Sequence, residues 1–383
     1  MAGFDSPSAV VQSSRITGAS EMSGVLIIGA GQAAAQLCIS LRQGGYTDPI
    51  RVVGDEPYLP YQRPPLSKEF LKERPAADTL YFRQQKFWDD NHITIDLGIA
   101  AKAVDPANRR VTLADGRELD YRVLMLATGT RARDLPLPGV NLPGVFTLRK
   151  IDDIRRLRPA LDEAKTVAIV GAGYIGLEVA AVMRQEGRAA IIVEAEDRVM
   201  KRVAGVELSA YFDKLHRERG VDIRLGARLA GIEGTDRATG VALASGERLS
   251  ADLVLVATGA RANDDLARAA GIPCEDGILV DDFAGAAPGI YAIGDCARFH
   301  SHRYGRKLRL PERRPACELR RGAIPEGPPR RQRAGGVSAA TFSRRVSESF
   351  LCARRSASRR PSSALRSSTP PARRCSRRCW RWS

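Results

Sequence analysis

With 383 residues, the chain is long enough for two or three domains with sizeable cores, and no run approaches the ~18 consecutive apolar residues of a membrane helix. Its net charge of +16 suggests a nucleic-acid or membrane partner, but residues 1–310 hold 41 Lys and Arg against 40 Asp and Glu, whereas residues 311–383 hold the other 19 against 4. The charge therefore belongs to the C-terminal segment, and nucleic-acid binding is expected at most nonspecifically through that segment.

Two parts of the chain follow one plan of apolar strand, glycine turn, helix and second strand. The strands of the first part are predicted over Val25–Ile28 and Ile50–Val53, with an Ala-rich helical pattern between them. Those of the second part are predicted over Thr166–Val170 and Ala190–Val193. Each part is therefore a βαβ unit, which the right-handed crossover rule folds into a parallel sheet.

Two further repeats indicate how the units are connected. The sequence LMLATG at Leu124–Gly129 recurs as VLVATG at Val254–Gly259, each time after a hairpin-like stretch with an Asp-Gly or Ser-Gly turn. A closing strand is predicted over Ile290–Asp295. We therefore expect an α/β fold with two Rossmann-like dinucleotide-binding domains, the second inserted within the first.

The first glycine turn has the residues that a dinucleotide site requires. Gly29 permits the tight turn, Gly31 lets the backbone approach a pyrophosphate at the N-terminus of the helix, and Ala34 stands at the third glycine position. Asp55 or Glu56, after the second strand, would accept hydrogen bonds from ribose hydroxyls. The alternative is an ordinary βα loop.

The second turn has the full pattern, with Gly171, Gly173 and Gly176. Glu194 follows the second strand at the expected spacing of ~20 residues. A carboxylate at this position bonds a free ribose 2′-hydroxyl and repels a 2′-phosphate, so NAD(H) is favoured over NADP(H). Arg198 is near enough in sequence to weaken that preference.

Three longer segments resemble one family. They are PYQRPPLSK at Pro60–Lys68, GAGYIGLE at Gly171–Glu178 and IGDCARFH at Ile293–His300. The chain resembles, from about Val25 to Leu310, the ferredoxin reductase type of the FAD-dependent pyridine nucleotide-disulfide oxidoreductases, the family of putidaredoxin reductase, rubredoxin reductase and biphenyl-dioxygenase ferredoxin reductase.

The resemblance implies roles for individual residues. Lys68 would lie at the flavin edge and Glu178 on the nicotinamide side, whereas the residues alone permit a solvated lysine and an acid favoured by the helix dipole. Arg149 and Asp295 would contact FAD. The other cofactor-binding positions implied are Ala33, Arg63, Ala101, Thr128, Gly129, Tyr174, Ile175 and Gly259.

The implied activity is hydride transfer from NADH to FAD, followed by electron transfer to a [2Fe-2S] ferredoxin or a rubredoxin. Such a transfer needs positioning and electrostatic tuning rather than a protein acid, base or nucleophile. The absence of a cysteine pair near Lys68 argues against disulfide reduction, and no metal site is predicted. The alternatives are an NADH oxidase of the apoptosis-inducing-factor type and a non-enzymatic protein that binds nucleotides or nucleic acids.

The sequence changes character after Leu310. The family would continue with an FAD-binding helix and a β-rich C-terminal interface domain, but residues 311–383 are rich in Arg, Ser, Pro and Ala without apolar periodicity. Three interpretations are a basic nucleic-acid-binding arm, a disordered linker and out-of-frame translation of a GC-rich gene, of which we favour the last. We therefore expect the interface domain to be absent, the tail to be disordered, flavin retention to be weak and reductase activity to be impaired.

The polar residues 1–22 are predicted to be a flexible extension without the apolar segment of a secretory signal, which favours a cytoplasmic protein. The predicted domain boundaries are an FAD-binding domain in two parts over 23–135 and 263–310, an NAD-binding domain over 136–262, and a disordered basic tail over 311–383.

Overall fold

The computed structural model describes residues 24–301 and 306–309. The extension predicted for residues 1–22, and the tail, missing interface domain and altered reading frame predicted after Leu310, concern residues outside this described part. The domain boundaries above stay a prediction.

The first part of the described chain begins with the predicted strand, helix and strand. Short 3-10 turns over Pro64–Ser67 and Ala77–Leu80 lie within the connection that follows. The elements are β1 (Val25–Ile28), α1 (Gln32–Gln43), β2 (Ile50–Val53), α2 (Glu69–Glu73), α3 (Gln85–Asp90), β3 (Ile93–Asp96), β4 (Ala101–Asp105), β5 (Arg110–Leu113), β6 (Glu118–Asp120), β7 (Val123–Leu126) and β8 (Thr130–Ala132).

The second part repeats this plan. Its elements are β9 (Val145–Thr147), α4 (Ile151–Glu163), β10 (Thr166–Val170), α5 (Tyr174–Gln185), β11 (Ala189–Val193), α6 (Val206–Glu218), β12 (Asp222–Arg224), β13 (Leu229–Glu233), β14 (Gly240–Leu243), β15 (Arg248–Ser250), β16 (Leu253–Val256) and β17 (Ala260–Ala262).

The third part returns the chain to the first unit. Its elements are α7 (Asp265–Ala269), β18 (Ile278–Val280), β19 (Gly285–Ala287), β20 (Ile290–Ala292), β21 (Ala297–Ser301) and β22 (Arg306–Arg309). The closing strand is shorter than predicted, because Gly294 has a φ of +72° and the chain turns there into a 3-10 helix over Gly294–Cys296. Asp295 is therefore in a turn at the end of the sheet rather than in the strand.

The main sheet of the first unit has six strands in the order β19-β20-β7-β1-β2-β3. The five strands from β20 to β3 are parallel, and β19 pairs antiparallel to β20. Strand β20 comes from the end of the described chain but pairs with β7, which precedes the second unit. The second unit is therefore inserted within the first, as the sequence predicted.

The second unit contains a five-stranded parallel sheet in the order β12-β11-β10-β16-β9. Both glycine turns lie at the carboxyl end of a central strand, β1 in the first sheet and β10 in the second. Strand order reverses at these central strands, and such positions in open parallel sheets form ligand-binding crevices.

Alternate residues of each central strand pack on opposite faces of its sheet. In β1, Val25 and Ile27 join the core beneath α1, whereas Leu26 and Ile28 join the core formed with α7 and the β4–β6 sheet. In β10, Val167 and Ile169 contribute to the core formed with α4, α5 and the segment before α2. That third core contains Leu66 and Phe70 of the first unit as well as Leu157 and Leu177 of the second, so it also joins the two units.

The two units are connected by a short antiparallel ribbon in which β8 pairs with β17. Two small three-stranded sheets, β4-β5-β6 and β13-β14-β15, contain the predicted hairpin turns. Gly116 and Gly246 lie at those turns, with φ values of +86° and +91°. Among the described residues, no helix combines the length and the apolar character needed to span a membrane.

Candidate functional site: two dinucleotide-binding turns and their interface

The first glycine turn has the close approach that its sequence predicts. Gly29 has a φ of +107°, and a Cβ atom there would lie 2.2 Å from the carbonyl oxygen of Ala127. A Cβ on Gly31 would meet nothing within 4 Å, so its open face can admit a ligand to the backbone. Ala34 at the third position is fully buried, and Ala33 packs where the chain turns at Gly294.

The second turn is equally constrained. Gly171 has a φ of +110°, and a Cβ atom there would lie 2.7 Å from the carbonyl oxygen of Ala257. A Cβ on Gly176 would lie only 2.0 Å from the carbonyl oxygen of Gly171, whereas one on Gly173 would meet open space. The next residues, Tyr174 and Ile175, begin α5, with Tyr174 exposed and Ile175 half-buried. The turn therefore packs the helix against the strand and leaves the face of Gly173 open.

A cavity of about 480 Å³ lies at the second turn, at the carboxyl ends of β10, β11 and β16. Four residues predicted to bind a cofactor line it, namely Gly171, Gly173, Tyr174 and Glu194. Thr258 also lines it, and its buried hydroxyl has no hydrogen-bond partner within the described chain. A buried hydroxyl without a partner is costly, so a ligand with a polar group there would satisfy it.

Glu194 faces the glycine turn. Its carboxylate accepts hydrogen bonds from the backbone N–H groups of Ala172 (2.7 Å) and Glu196 (3.0 Å). Arg198, which weakened the predicted preference for NAD(H), does not line the cavity, because its guanidinium donates to the carbonyls of Ala204 and Lys201 at 2.9 and 3.0 Å. The cavity wall nearest Glu194 therefore contains the carboxylate but not this guanidinium.

The two acids predicted at the first unit have different surroundings. Glu56 accepts hydrogen bonds from Tyr61 (2.6 Å) and Arg63 (2.7 Å), and its side chain is only 11% exposed. Asp55 pairs with Lys150 at 2.7 Å, with 57% of its side chain exposed. Asp55 is therefore the acid that a ligand can reach from solvent, and Glu56 orders the segment that contains Arg63.

A connected polar group lies beyond the first turn. Arg149 Nη2 is 2.8 Å from a carboxylate oxygen of Asp295, and Arg149 Nε donates to the carbonyl of Thr130 at 3.2 Å. Arg63 donates to the carbonyl of Arg149 at 2.6 Å. The structure thus brings three predicted residues, Arg63, Arg149 and Asp295, together from distant parts of the sequence.

The remaining predicted positions lie around these turns. Thr128 Oγ1 donates to the carbonyl of Asn263 at 2.6 Å, and Gly129 has a φ of +66°. Gly259, with a φ of +110°, lies beside the guanidinium of Arg202. Ala101 begins β4 and packs on the core. Two residues earlier, the backbone N–H of Ile99 donates to the carbonyl of Gly54.

Lys68 and Glu178 meet where the two units contact each other. Lys68 Nζ is 3.0 Å from Glu178 Oε1, and Ser67 Oγ donates to Glu178 Oε2 at 2.5 Å. Glu178 is in the first half of α5, and Ser67 and Lys68 end the 3-10 turn before α2. The contacts of Ser67, Thr258 and Arg202 were not predicted, since no local sequence pattern indicates them.

The cysteines of the described chain are free. Cys38 and Cys296 are fully buried, and burial raises the pKa of both thiols, that of Cys38 to about 12. Ser67 occupies the position beside Lys68. No group of three His, Cys, Asp or Glu side chains within residues 24–301 and 306–309 is arranged to hold a metal ion.

The open faces of Gly31 and Gly173, the enclosed contact at Gly176 and the unpartnered Thr258 hydroxyl all suit extended dinucleotides bound at both turns. The fold therefore defines a protein with two dinucleotide-binding units, one nested in the other. The chain belongs to the pyridine nucleotide-disulphide oxidoreductase family, whose sequence model matches residues 23–327. This match extends beyond Leu310, where the resemblance seen in the motifs ended.

Several curated proteins are similar to this chain. Rhodocoxin reductase of Rhodococcus erythropolis is 42% identical over 277 residues, which are 72% of this chain and 65% of that protein. Putidaredoxin reductase of Pseudomonas putida is 39% identical over 293 residues, 75% of this chain and 69% of that protein. The chain thus spans about two thirds of the length of these relatives.

Solved structures show the same fold. The ferredoxin reductase for the CYP199A2 system from Rhodopseudomonas palustris matches with a TM-score of 0.73 and 43% identity, over 75% of this chain and 71% of that one. The reductase in the covalent putidaredoxin reductase–putidaredoxin complex matches with a TM-score of 0.71 and 37% identity, over 75% and 70%. These likenesses confirm the predicted α/β fold and family.

Proposed function

We propose that the chain is a reductase that binds FAD at the first glycine turn and NADH at the second, and passes electrons to a [2Fe-2S] ferredoxin or a rubredoxin. The observation that best supports this is the Lys68–Glu178 ion pair, which joins the two nucleotide-binding units at 3.0 Å. Relatives named as reductases of rhodocoxin, putidaredoxin and rubredoxin support the choice of acceptor. A cytoplasmic location is part of the same proposal.

The assigned residues divide between binding and alignment. Gly31 and Gly173 admit the two diphosphates to the backbone, and Arg149 and Asp295 contact the flavin nucleotide. Glu194 accepts from the adenosine ribose of NADH, and the side chains of Lys68 and Glu178 place opposite charges where the two cofactors meet. Bound FAD would supply a group that can accept hydride and release electrons one at a time.

The proposal excludes a thiol step at this interface. Ser67 stands beside Lys68 and holds the Glu178 carboxylate, and Cys38 and Cys296 are fully buried in the first unit. Burial raises the pKa of both thiols, which keeps them protonated and weakly nucleophilic near neutral pH. The aligned charges therefore act on the transfer between cofactors rather than on a disulfide.

The first experiment records the visible spectrum of the FAD-reconstituted chain before and after anaerobic NADH. We expect weak flavin retention, a spectrum that bleaches with NADH, and slow recovery when a [2Fe-2S] ferredoxin or a rubredoxin is added, because the sequence after Leu310 departs from the family pattern. Recovery with oxygen alone would instead support an oxidase. A chain that retains no flavin would contradict the proposal for this sequence. In a separate assay, salt-dependent DNA binding that is lost when residues 311–383 are removed would support the nucleic-acid alternative.

A further inference from the structure

Arg158 of α4 joins the two elements that contain the Lys68–Glu178 pair. Its Nη1 donates to the carbonyl of Leu71 in α2 at 3.0 Å and to Glu186 Oε1 at 2.7 Å. Glu186 ends α5, the helix that contains Glu178, and α2 begins directly after Lys68. One guanidinium therefore links the residue three positions after Lys68 to the residue eight positions after Glu178.

This contact is mostly enclosed. The side chains of Arg158 and Glu186 are 12% and 13% exposed. Burial alone would raise the pKa of Glu186, but hydrogen bonds from Arg158 and Arg188 outweigh burial and lower it. Asp162, 3.2 Å from Arg158 Nη2, also pairs with Arg74 just beyond α2 at 2.5 Å. Removing one partner of such an enclosed ion pair leaves an uncompensated buried charge, which is costly. The side chains of Arg158 and Glu186 are therefore held in contact.

Helix α2 has little capacity to hold its own direction. It spans only Glu69–Glu73, and a single turn is unstable in isolation. Its last carbonyls have no partner within the helix, and Arg158 supplies one of them with a charged donor at the end where the helix dipole favours a cation. The direction of Lys68, the residue before α2, therefore depends on the burial of Phe70 and Leu71 and on the bond from Arg158 to the Leu71 carbonyl.

We propose that Arg158 is a positioning residue that aligns Lys68 with Glu178 by holding Leu71 and Glu186 on one guanidinium. The inference rests on the function proposed above. Arg158 bonds Leu71 and Glu186, so its effect on the pair passes through α2 and α5. Loss of the two bonds from its guanidinium should change the geometry of the Lys68–Glu178 pair without removing a group from either nucleotide site.

The first test uses the chain without cofactors. Arg158→Gln removes the charge, and Arg158→Lys keeps the charge but loses the fork that bonds two acceptors at once. The matched control is Arg188→Gln, which also removes a cation from Glu186, where Arg188 Nε is 3.1 Å from Oε2, but leaves the bond to Leu71 intact. Hydrogen exchange over residues 66–74 is expected to accelerate about tenfold in both Arg158 variants, as for loss of one charge-assisted bond, and to be unchanged in the control.

The second test measures the limiting rate of anaerobic flavin reduction at saturating NADH. Arg158→Lys is expected to slow it by ~10-fold with little change in the apparent dissociation constant of NADH, because small misplacements reduce rates steeply. If Arg158 acts through the pair, this loss disappears in a Glu178→Gln background. A merely structural role would leave the two effects additive.

The outcomes separate the inference from the function on which it rests. Accelerated exchange with non-additive rates supports positioning, and additive rates or unchanged exchange overturn it. If the wild-type chain binds FAD but NADH does not reduce it, the proposed function fails while the exchange experiment still decides whether Arg158 orders α2. Equal acceleration in Arg188→Gln would also overturn the inference, since general loosening around Glu186 would then explain the result.

Discussion

Lys68 Nζ lies 3.0 Å from Glu178 Oε1, and this pair joins two units whose central strands belong to different sheets. Ser67 holds the second carboxylate oxygen, so the carboxylate cannot rotate away from the lysine without losing a hydrogen bond. The pair is partly exposed, with side chains 42% and 28% accessible, and a surface pair of this kind contributes only ~0–1 kcal/mol to stability. Its main effect is therefore expected on the chemistry at the interface.

Lys68→Met and Glu178→Gln should each slow anaerobic flavin reduction by NADH by at least about tenfold, because rates fall ~100-fold for a displacement of the order of 1 Å. Stopped-flow absorbance of the flavin measures the rate. The controls are Lys86→Met and Glu218→Gln, which alter exposed pairs on α3 and α6. Equal losses in the controls, or rates within twofold of wild type for both site variants, would remove the pair from the mechanism.

Gly176→Ala and Gly173→Ala should separate folding from nucleotide binding. The added Cβ on Gly176 would lie 2.0 Å from the Gly171 carbonyl oxygen, so the helix must shift, at a cost of ~1–3 kcal/mol in the free energy of unfolding. The Cβ on Gly173 meets no protein atom within 4 Å and should leave the free energy of unfolding nearly unchanged. Urea unfolding of the cofactor-free chain measures both.

Gly173→Ala should also weaken NADH binding by ~10-fold or more, because its methyl group would occupy the open space where the diphosphate approaches the backbone. Fluorescence titration with NADH gives the dissociation constants. The idea of a diphosphate at this turn is wrong if Gly173→Ala binds NADH as tightly as wild type.

Glu194→Gln should reduce the preference for NADH over NADPH by ~10-fold, since a charge at ~4 Å from a 2′-phosphate contributes ~1–4 kcal/mol of repulsion at intermediate dielectric values. The amide keeps an acceptor for the N–H of Ala172, which Glu194 now contacts at 2.7 Å. Arg198→Gln is the contrasting variant, and its preference for NADH over NADPH should stay at the wild-type value, because Arg198 does not line the cavity and its guanidinium bonds the carbonyls of Ala204 and Lys201. A larger change in the arginine variant would reverse this assignment.

Cys38 should make the fold more sensitive to alkali. Burial raises the pKa of its thiol from 9.0 to about 12, partly opposed by Arg42, so the folded state favours the neutral thiol. The stabilisation is complete below pH 9 and is lost as the pH rises from 9 towards 12, at a limiting slope of ~1.4 kcal/mol per pH unit.

Cys38→Ala tests this directly. The variant should be less stable at pH 7, because a buried sulfur is lost, yet its free energy of unfolding should fall less steeply between pH 9 and 11 than that of wild type. Ser40→Ala, at another buried position of α1, is the control without an ionisable group. Parallel pH profiles for wild type and Cys38→Ala would show that other groups cause the alkaline loss.

Much of the fold was predictable from local patterns. The strands beginning at Val25, Ile50 and Thr166 have the predicted bounds, because continuous apolar runs followed by glycine turns are typical of buried parallel strands. Strand β20 ended earlier than predicted, since the left-handed backbone of Gly294 stops the strand before Asp295. An apolar run does not show where a glycine adopts such a conformation.

The candidate site was less completely predictable. Glu56 and Asp55 were indistinguishable as sequence neighbours, and only packing against Tyr61 and Arg63 shows that Glu56 is enclosed. Arg198 was expected to influence the nucleotide preference from its position alone, but it bonds carbonyls instead. The unpartnered hydroxyl of Thr258 also depends on burial, which no local motif specifies.

The sequence by itself determined the two βαβ units, their glycine turns and, through the resemblance, the family, because strand periodicity and turn chemistry depend on residues close together in the chain. Only the tertiary structure decided which side chains meet across the units, including Ser67 and Lys68 with Glu178, and Arg158 with Leu71 and Glu186. These contacts arise where the two units pack on a shared core, and their geometry depends on the whole fold.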